Sequence, residues 1–116
     1  ILYDYPASQS ALATTIVRPS GVEVAERFEL YWRGIELANG YHELTDAMIL
    51  RRRLEGVNKD RTADGRPALP LPERLLAAME NPGLPACSGC ALGFDRFIML
   101  ACGASSIEEV MSFPWE

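Results

Sequence analysis

From Val22 the side chains of the sequence take on a period of two. Val24, Phe28, Leu30 and Trp32 fall on one side of an extended chain, and Glu23, Arg27, Glu29 and Tyr31 on the other. Successive side chains of an extended backbone point to opposite faces, so this pattern predicts a half-buried strand. Arg33-Gly34 breaks it with glycine second, which suits a two-residue hairpin turn. Ile35, Leu37 and Tyr41 then alternate against Glu36, Ala38 and Gly40, giving an antiparallel hairpin with Trp32 opposite Ile35 and Tyr31 opposite Glu36.

Beyond Glu43-Leu44 the period lengthens. Thr45-Asp46 read as a helix N-cap, and Leu50, Leu54 and Val57 at i, i+4 and i+7 predict a helix of about three turns. Its solvated side carries Arg51-Arg52-Arg53 and Glu55, and Asn58 to Pro72 reads as a loop. Pro72 suits the first position of a helix over Glu73–Glu80, with Leu75, Leu76 and Met79 facing inward. Cys87–Gly93 predicts a strand of small residues. Phe94–Cys102 predicts a buried helix stopped by Gly103, and Ser106 caps a short last helix over Ile107–Met111. The opening, Ile1 to Pro19, is expected to be irregular around a short apolar start. The fold class is α+β, an antiparallel β-sheet flanked by helices, with residues 1–116 forming a single portion of a domain.

Composition narrows the function classes. Eleven Lys+Arg against sixteen Asp+Glu give a formal charge of −5, which argues against broad binding to a phosphate backbone and favours a site for cations or amines. The longest apolar stretch, Phe97–Cys102, falls well short of the roughly 20 residues of a spanning helix, and a cytoplasmic protein is expected. Three cysteines do not make a disulfide framework, so reduced thiols are expected. The chain opens at Ile1 rather than Met, which reads as a fragment.

The candidate chemistry starts in the hairpin. Its turn makes Glu29 a diagonal neighbour of Glu36 on one face, roughly 7–8 Å apart. Mg²⁺ uses one or two carboxylates and completes its shell with water and substrate phosphates, so this pair suits Mg²⁺; a solvated pair of glutamates is the plainer alternative. Asn39 and Glu43, an amide and a carboxylate, suit an ammonium ligand. Strict alternation places them opposite Glu36, so a shared pocket needs a bulge, and Gly40 is the expected place for it. In Gly89-Cys90-Ala91-Leu92-Gly93-Phe94-Asp95-Arg96, small residues lead into a helix that starts with an acid and an arginine. The backbone there is open to a flat ligand, and Arg96 can meet a phosphate or stack on a ring. A structural Asp95–Arg96 pair at a helix start is the alternative. Cys87, Cys90, Cys102 and His42 could in principle make a zinc site, but they lack a second closely spaced ligand pair.

Three strings, Glu26–Leu30, Gly34–Asp46 and Ala91–Leu100, together resemble the catalytic domain of the class II lysyl-tRNA synthetases. The last is similar to that class's third signature motif, whose arginine contacts ATP. Within the family the closer likeness is to truncated paralogues that activate (R)-β-lysine and attach it to elongation factor P. It rests on Asp4–Ala13, Cys87–Gly93 with Ala91 in place of the usual glycine, and the ending Glu109–Phe113; Pro114-Trp115 is instead similar to the tRNA synthetases. The resemblance implies that Glu29 and Glu36 hold Mg²⁺ on ATP, that Asn39 and Glu43 bind the amino groups of a lysine-like amino acid, and that Gly89 and Ala91 shape its pocket. It implies further that Arg96 lies on ATP, with Gly93 and Asp95 shaping the turn beneath it. Arg96, Glu29 and Glu36 are then the catalytic residues, and a protein rather than a tRNA is the acceptor. A lysyl-tRNA synthetase proper and a non-catalytic synthetase-like binding module remain as alternatives. The family's first motif, which builds a homodimer, and its second, whose arginine grips the α-phosphate, are expected upstream of Ile1. These 116 residues alone are therefore expected to be inactive.

Overall fold

The computed structural model describes residues 1–114, so Trp115 of the Pro114-Trp115 ending lies outside the described residues. The chain divides into two compact units, residues 1–42 with the stretch from Ser88 onward, and Glu43–Cys87.

The first unit is built on a five-stranded antiparallel sheet. Its strands are β1 (Leu2–Pro6), β2 (Thr15–Val17), β3 (Glu23–Trp32), β4 (Ile35–His42) and β5 (Ser88–Leu92), in the order β1-β3-β4-β5. β2 pairs with Glu23–Ala25, the end of β3 that β4 leaves unpaired. The predicted hairpin forms as expected: Trp32 pairs with Ile35 and Tyr31 with Glu36. Arg33 at φ +50° and Gly34 at φ +81° give the turn two left-handed residues, matching its twist to that of the strands.

The bulge lies elsewhere than expected. Leu30 pairs with Ala38 while Tyr31 pairs with Glu36, so Leu37 is the extra residue and Gly40 is regularly paired with Phe28. Gly40 serves close packing instead: a Cβ there would lie 2.4 Å from the Phe28 ring and 2.9 Å from the Gly89 carbonyl oxygen. The opening segment, expected to be irregular, supplies β1, β2 and a 3₁₀ turn at Ala7–Gln9. Pairing to β3 orders β1 and β2, and a local reading of the prolines and serines in and around them does not register it. Asp4, at φ +56° and tied to Arg18 at 2.5 Å, sits at a register shift between Tyr3 and Tyr5.

Helix α3 (Phe94–Cys102) has the predicted bounds and ends at Gly103 with φ +70°. It is amphipathic rather than buried: only Met99 is enclosed, while Phe94 and Phe97 are exposed. A 3₁₀ turn at Ile107–Val110 follows, shorter than the predicted helix, and Glu109 Oε1 accepts from the Ser105 and Ser106 N–H groups.

In the second unit, Asp46 caps α1 (Ala47–Ala63) by accepting the Ile49 N–H at 2.9 Å. The helix has 17 residues, longer than the three turns expected, and takes in Asn58–Ala63. Asn58 explains the extension. From the helix its side chain bonds both the N–H and the carbonyl of Leu69, each at 2.8 Å, and so orders the loop beyond. Val57 is exposed, contrary to expectation. Helix α2 (Glu73–Ala78) is shorter than predicted, with Pro72 as its cap residue, and Leu75 faces out. Leu44, Ala47, Leu50, Leu76 and Met79 form the core. Arg51, on the side expected to be solvated, is paired with Glu73.

The chain leaves the sheet and returns to it at neighbouring rungs. His42 pairs with Ser88 within the sheet, and in the second unit the Glu43 N–H bonds to Cys87 O at 3.0 Å. No described helix is long and apolar enough to cross a membrane.

Candidate functional site

Residues paired directly across antiparallel strands share a face, so the register sets the composition of the site. Arg27 pairs with Tyr41 and Tyr41 with Gly89; Glu29 pairs with Asn39 and Asn39 with Ala91; Tyr31 pairs with Glu36. One face of the sheet therefore carries Arg27, Glu29, Tyr31, Glu36, Asn39 and Tyr41, next to the small residues Gly89 and Ala91. The Leu37 bulge makes this possible. In an unbroken strand, residues three apart such as Glu36 and Asn39 lie on opposite faces. With the extra residue between them, Asn39 Nδ2 donates to Glu36 Oε1 at 3.3 Å.

The bulge also seats α3. Its two carbonyls turn outward: Leu37 O accepts the Gly93 N–H at 2.8 Å and Glu36 O accepts Arg96 Nη1 at 3.0 Å. Gly93 allows this approach, since a Cβ there would lie 3.3 Å from Arg96 Cδ and 3.5 Å from Leu37 O. Arg96 Nη1 stands 4.0 Å from Glu36 Oε2. Asp95 lies in the exposed first turn of α3, where a negative side chain is favoured by the helix dipole.

Glu29 has a setting unlike that of a glutamate on a solvated hairpin. It is 7% exposed. Tyr31 Oη donates to its Oε2 at 2.5 Å, Arg27 Nη2 donates to its Oε1, and the Tyr5 hydroxyl bonds to it as well. Those hydroxyls, Tyr31 first, hold the Glu29 carboxyl below the usual carboxylate range, with Arg27 adding to the effect. In return the bond to Glu29 pushes the Tyr5 hydroxyl up to about 12. The carboxylate is thus kept ionised although it is buried.

Sequence reasoning passed over Arg27, Tyr5 and Tyr31. Arg27 and Tyr31 share the alternation of Glu29, a signal that was present and unused. Tyr5 had no such signal, because its strand is defined by pairing with β3.

Of the nine residues expected in the site, Glu29, Glu36, Asn39, Gly89, Ala91, Gly93, Asp95 and Arg96 belong to the first unit. Glu43 is the first residue of the second. The donor set suits a hard cation held jointly with phosphate: two carboxylates are what Mg²⁺ takes from protein when a nucleotide supplies further oxygens. Among the described residues there is no group of three or more His, Cys, Asp or Glu that could hold a metal ion, so the zinc alternative gains no support.

The profile of the class II tRNA synthetases (D, K and N) matches residues 1–116. The sequence is 55% identical over 112 residues to the elongation factor P–(R)-β-lysine ligase of Klebsiella pneumoniae (strain 342), which is 97% of this chain and 34% of that protein. It is 53% identical over 113 residues to the ligase of the same name from Proteus mirabilis, again 97% of this chain and 34% of the relative. For Hamiltonella defensa the identity is 50% over 115 residues, 99% of this chain and 34% of the relative. The chain thus spans about a third of the length of these curated relatives.

Proposed function

The chain belongs to the class II tRNA synthetase family (D, K and N), and from that premise we propose that the full-length protein is an ATP-dependent ligase for a lysine-like amino acid, (R)-β-lysine, with a lysine of elongation factor P as acceptor. The identity of 50–55% over nearly the whole chain to ligases of that name carries this reading. The shared face of Glu29, Glu36 and Asn39, with Arg96 bonded to the Glu36 carbonyl, supports it.

In the proposed reaction a carboxylate oxygen of the amino acid attacks the α-phosphorus of ATP. The bond to the bridging oxygen breaks, and pyrophosphate leaves. The ε-amine of the acceptor lysine then attacks the activated carbonyl, forming an amide, losing a proton and releasing AMP. Glu29 and Glu36 would hold Mg²⁺, which when bound offsets charge on the phosphates. Arg96, bonded to the Glu36 carbonyl, would set a guanidinium beside the nucleotide, and such preset charges lower the barrier without reorganising during the step. Asn39 would bind an amino group of the substrate through its side-chain carbonyl while its amide stays on Glu36. Gly89 and Ala91 would leave room for the substrate. Glu43 is carried as a second amine ligand by sequence resemblance alone, as are Gly93 and Asp95 as residues that shape the nucleotide end. The 116 residues, taken alone, are proposed to give no adenylation, and the full-length protein is proposed to act as a homodimer in the cytoplasm.

Amino-acid-dependent ATP–pyrophosphate exchange by the full-length protein tests this, comparing (R)-β-lysine with α-lysine and wild type with Glu43→Ala. Exchange that prefers (R)-β-lysine and is lost in the variant is the expected result. A preference for α-lysine would mean a lysyl-tRNA synthetase, and absence of exchange with either would leave a binding module.

A further inference from the structure

We propose, resting on the reading above, that Arg27 screens Glu29 so that the site takes its divalent cation only together with nucleotide phosphates. Arg27 is held from several sides. Its Nη1 donates to the Gln9 carbonyl at 2.8 Å, its Nη2 donates to Glu29, and its guanidinium carbon lies 4.3 Å from the centre of the Tyr5 ring and 5.8 Å from that of Tyr41. Its Nε is buried and has no hydrogen-bond partner.

Glu29 has partners besides this arginine, because the Tyr31 and Tyr5 hydroxyls also bond the carboxylate. Arg27 alone adds a unit positive charge, fixed against one carboxylate oxygen. Glu36 has a looser version of the same arrangement, with Arg96 Nη1 at 4.0 Å. Two carboxylates facing two guanidiniums sum to zero. A free dication coming to Glu29 would meet the Arg27 charge at close range in a poorly solvated place, where Coulomb forces are strong. A cation that arrives on a nucleotide brings phosphate charges, and these repay the repulsion by facing both guanidiniums. Metal and nucleotide would then enter as one unit.

The test uses Mn²⁺ alone, without nucleotide, on the full-length protein, with free Mn²⁺ followed by electron paramagnetic resonance. Arg27→Gln is expected to bind Mn²⁺ about tenfold or more tightly than wild type, and Arg27→Lys within about threefold of it. The Arg27→Gln/Glu29→Gln double variant should lose the gain. A folded Arg27→Gln protein that binds Mn²⁺ no better than wild type overturns the proposal and leaves Arg27 as a mere support. Glu29→Gln supplies an opposite arm should Arg27→Gln not fold. It uncovers the guanidinium and should tighten binding of metal-free pyrophosphate by about tenfold, and unchanged binding also overturns the proposal. Exchange activity is read separately. Exchange without the Mn²⁺ gain removes the screen alone, and the Mn²⁺ gain without exchange removes the proposed ligase activity alone.

Discussion

The two units differ in whether any of their charges is enclosed. In Glu43–Cys87 the packed interior is wholly apolar, and the Arg51–Glu73 pair lies outside it with side chains 30% and 63% exposed. In the sheet unit the Arg27–Glu29 pair is nearly enclosed, at 17% and 9%. Enclosing an ion pair costs desolvation that its attraction at best offsets, whereas a surface pair costs and contributes little. A fold selected for stability alone would follow the pattern of the second unit throughout. The departure is confined to one face of one sheet, the face that the register fills with candidate ligands.

Breaking the enclosed pair should have the largest effect. Glu29→Ala leaves the Arg27 charge in place without its partner and is expected to cost about 3–5 kcal/mol in urea unfolding, together with loss of exchange activity. A comparable cost with activity retained would reduce Glu29 to a structural role. Leu76→Ala, in the apolar core, should cost about 2–5 kcal/mol while leaving the exchange rate of the folded protein near wild type. Tyr31→Phe removes one hydroxyl from a charged acceptor and should cost about 1–2 kcal/mol. Arg51→Ala, on the exposed pair, should shift the unfolding midpoint by less than about 1 kcal/mol; a larger loss would erase the contrast between the units.

The finest test uses pH. Because Glu29 has its folded-state pKa lowered, its contribution is present in full above the unfolded value of 4.5 and is lost as pH falls through the folded value. The stability gap between wild type and Glu29→Gln should accordingly hold from neutral pH down to about 4.5 and close below it. A gap that closes well above that point would mean that the hydroxyls do not hold the carboxylate ionised.

What could be read from the sequence was what depends on near neighbours. The alternation of β3 and the Arg33-Gly34 turn gave the hairpin and its first two pairs, and Gly103 marked the end of α3. The sequence calls for a bulge, but its local signal points to Gly40 and the extra residue is Leu37. Glycine is the usual mark of a bulge, yet Gly40 is small because the Phe28 ring lies against it, and Leu37 carries no local mark at all. The burial of Glu29 was hidden for a related reason. Its cover includes Tyr5, which belongs to a strand that exists only by pairing with β3. The length of α1 was missed because its last turns are polar and are held by the contact from Asn58 to Leu69. The sequence points to Glu29, Glu36, Asn39 and Arg96; the sheet gathers the first three and α3 brings Arg96 to Glu36. Their second layer, Arg27 with Tyr5 and Tyr31, was found only in three dimensions.

The neighbouring rungs at which the chain leaves and rejoins the sheet have a consequence for what the gene can tolerate. His42 opposite Ser88 closes the intervening segment as a ladder closes a hairpin, however much chain lies between. The entropy of closing such a segment grows only with the logarithm of its length, about 0.6 kcal/mol for each doubling. Codons can therefore be gained or lost around Asp64–Pro67, in the exposed bend beyond α1, at little thermodynamic penalty. Between Gly34 and Asn39, a single added codon would change which side chains share a face. Variation in length should gather in the first place and be nearly absent from the second.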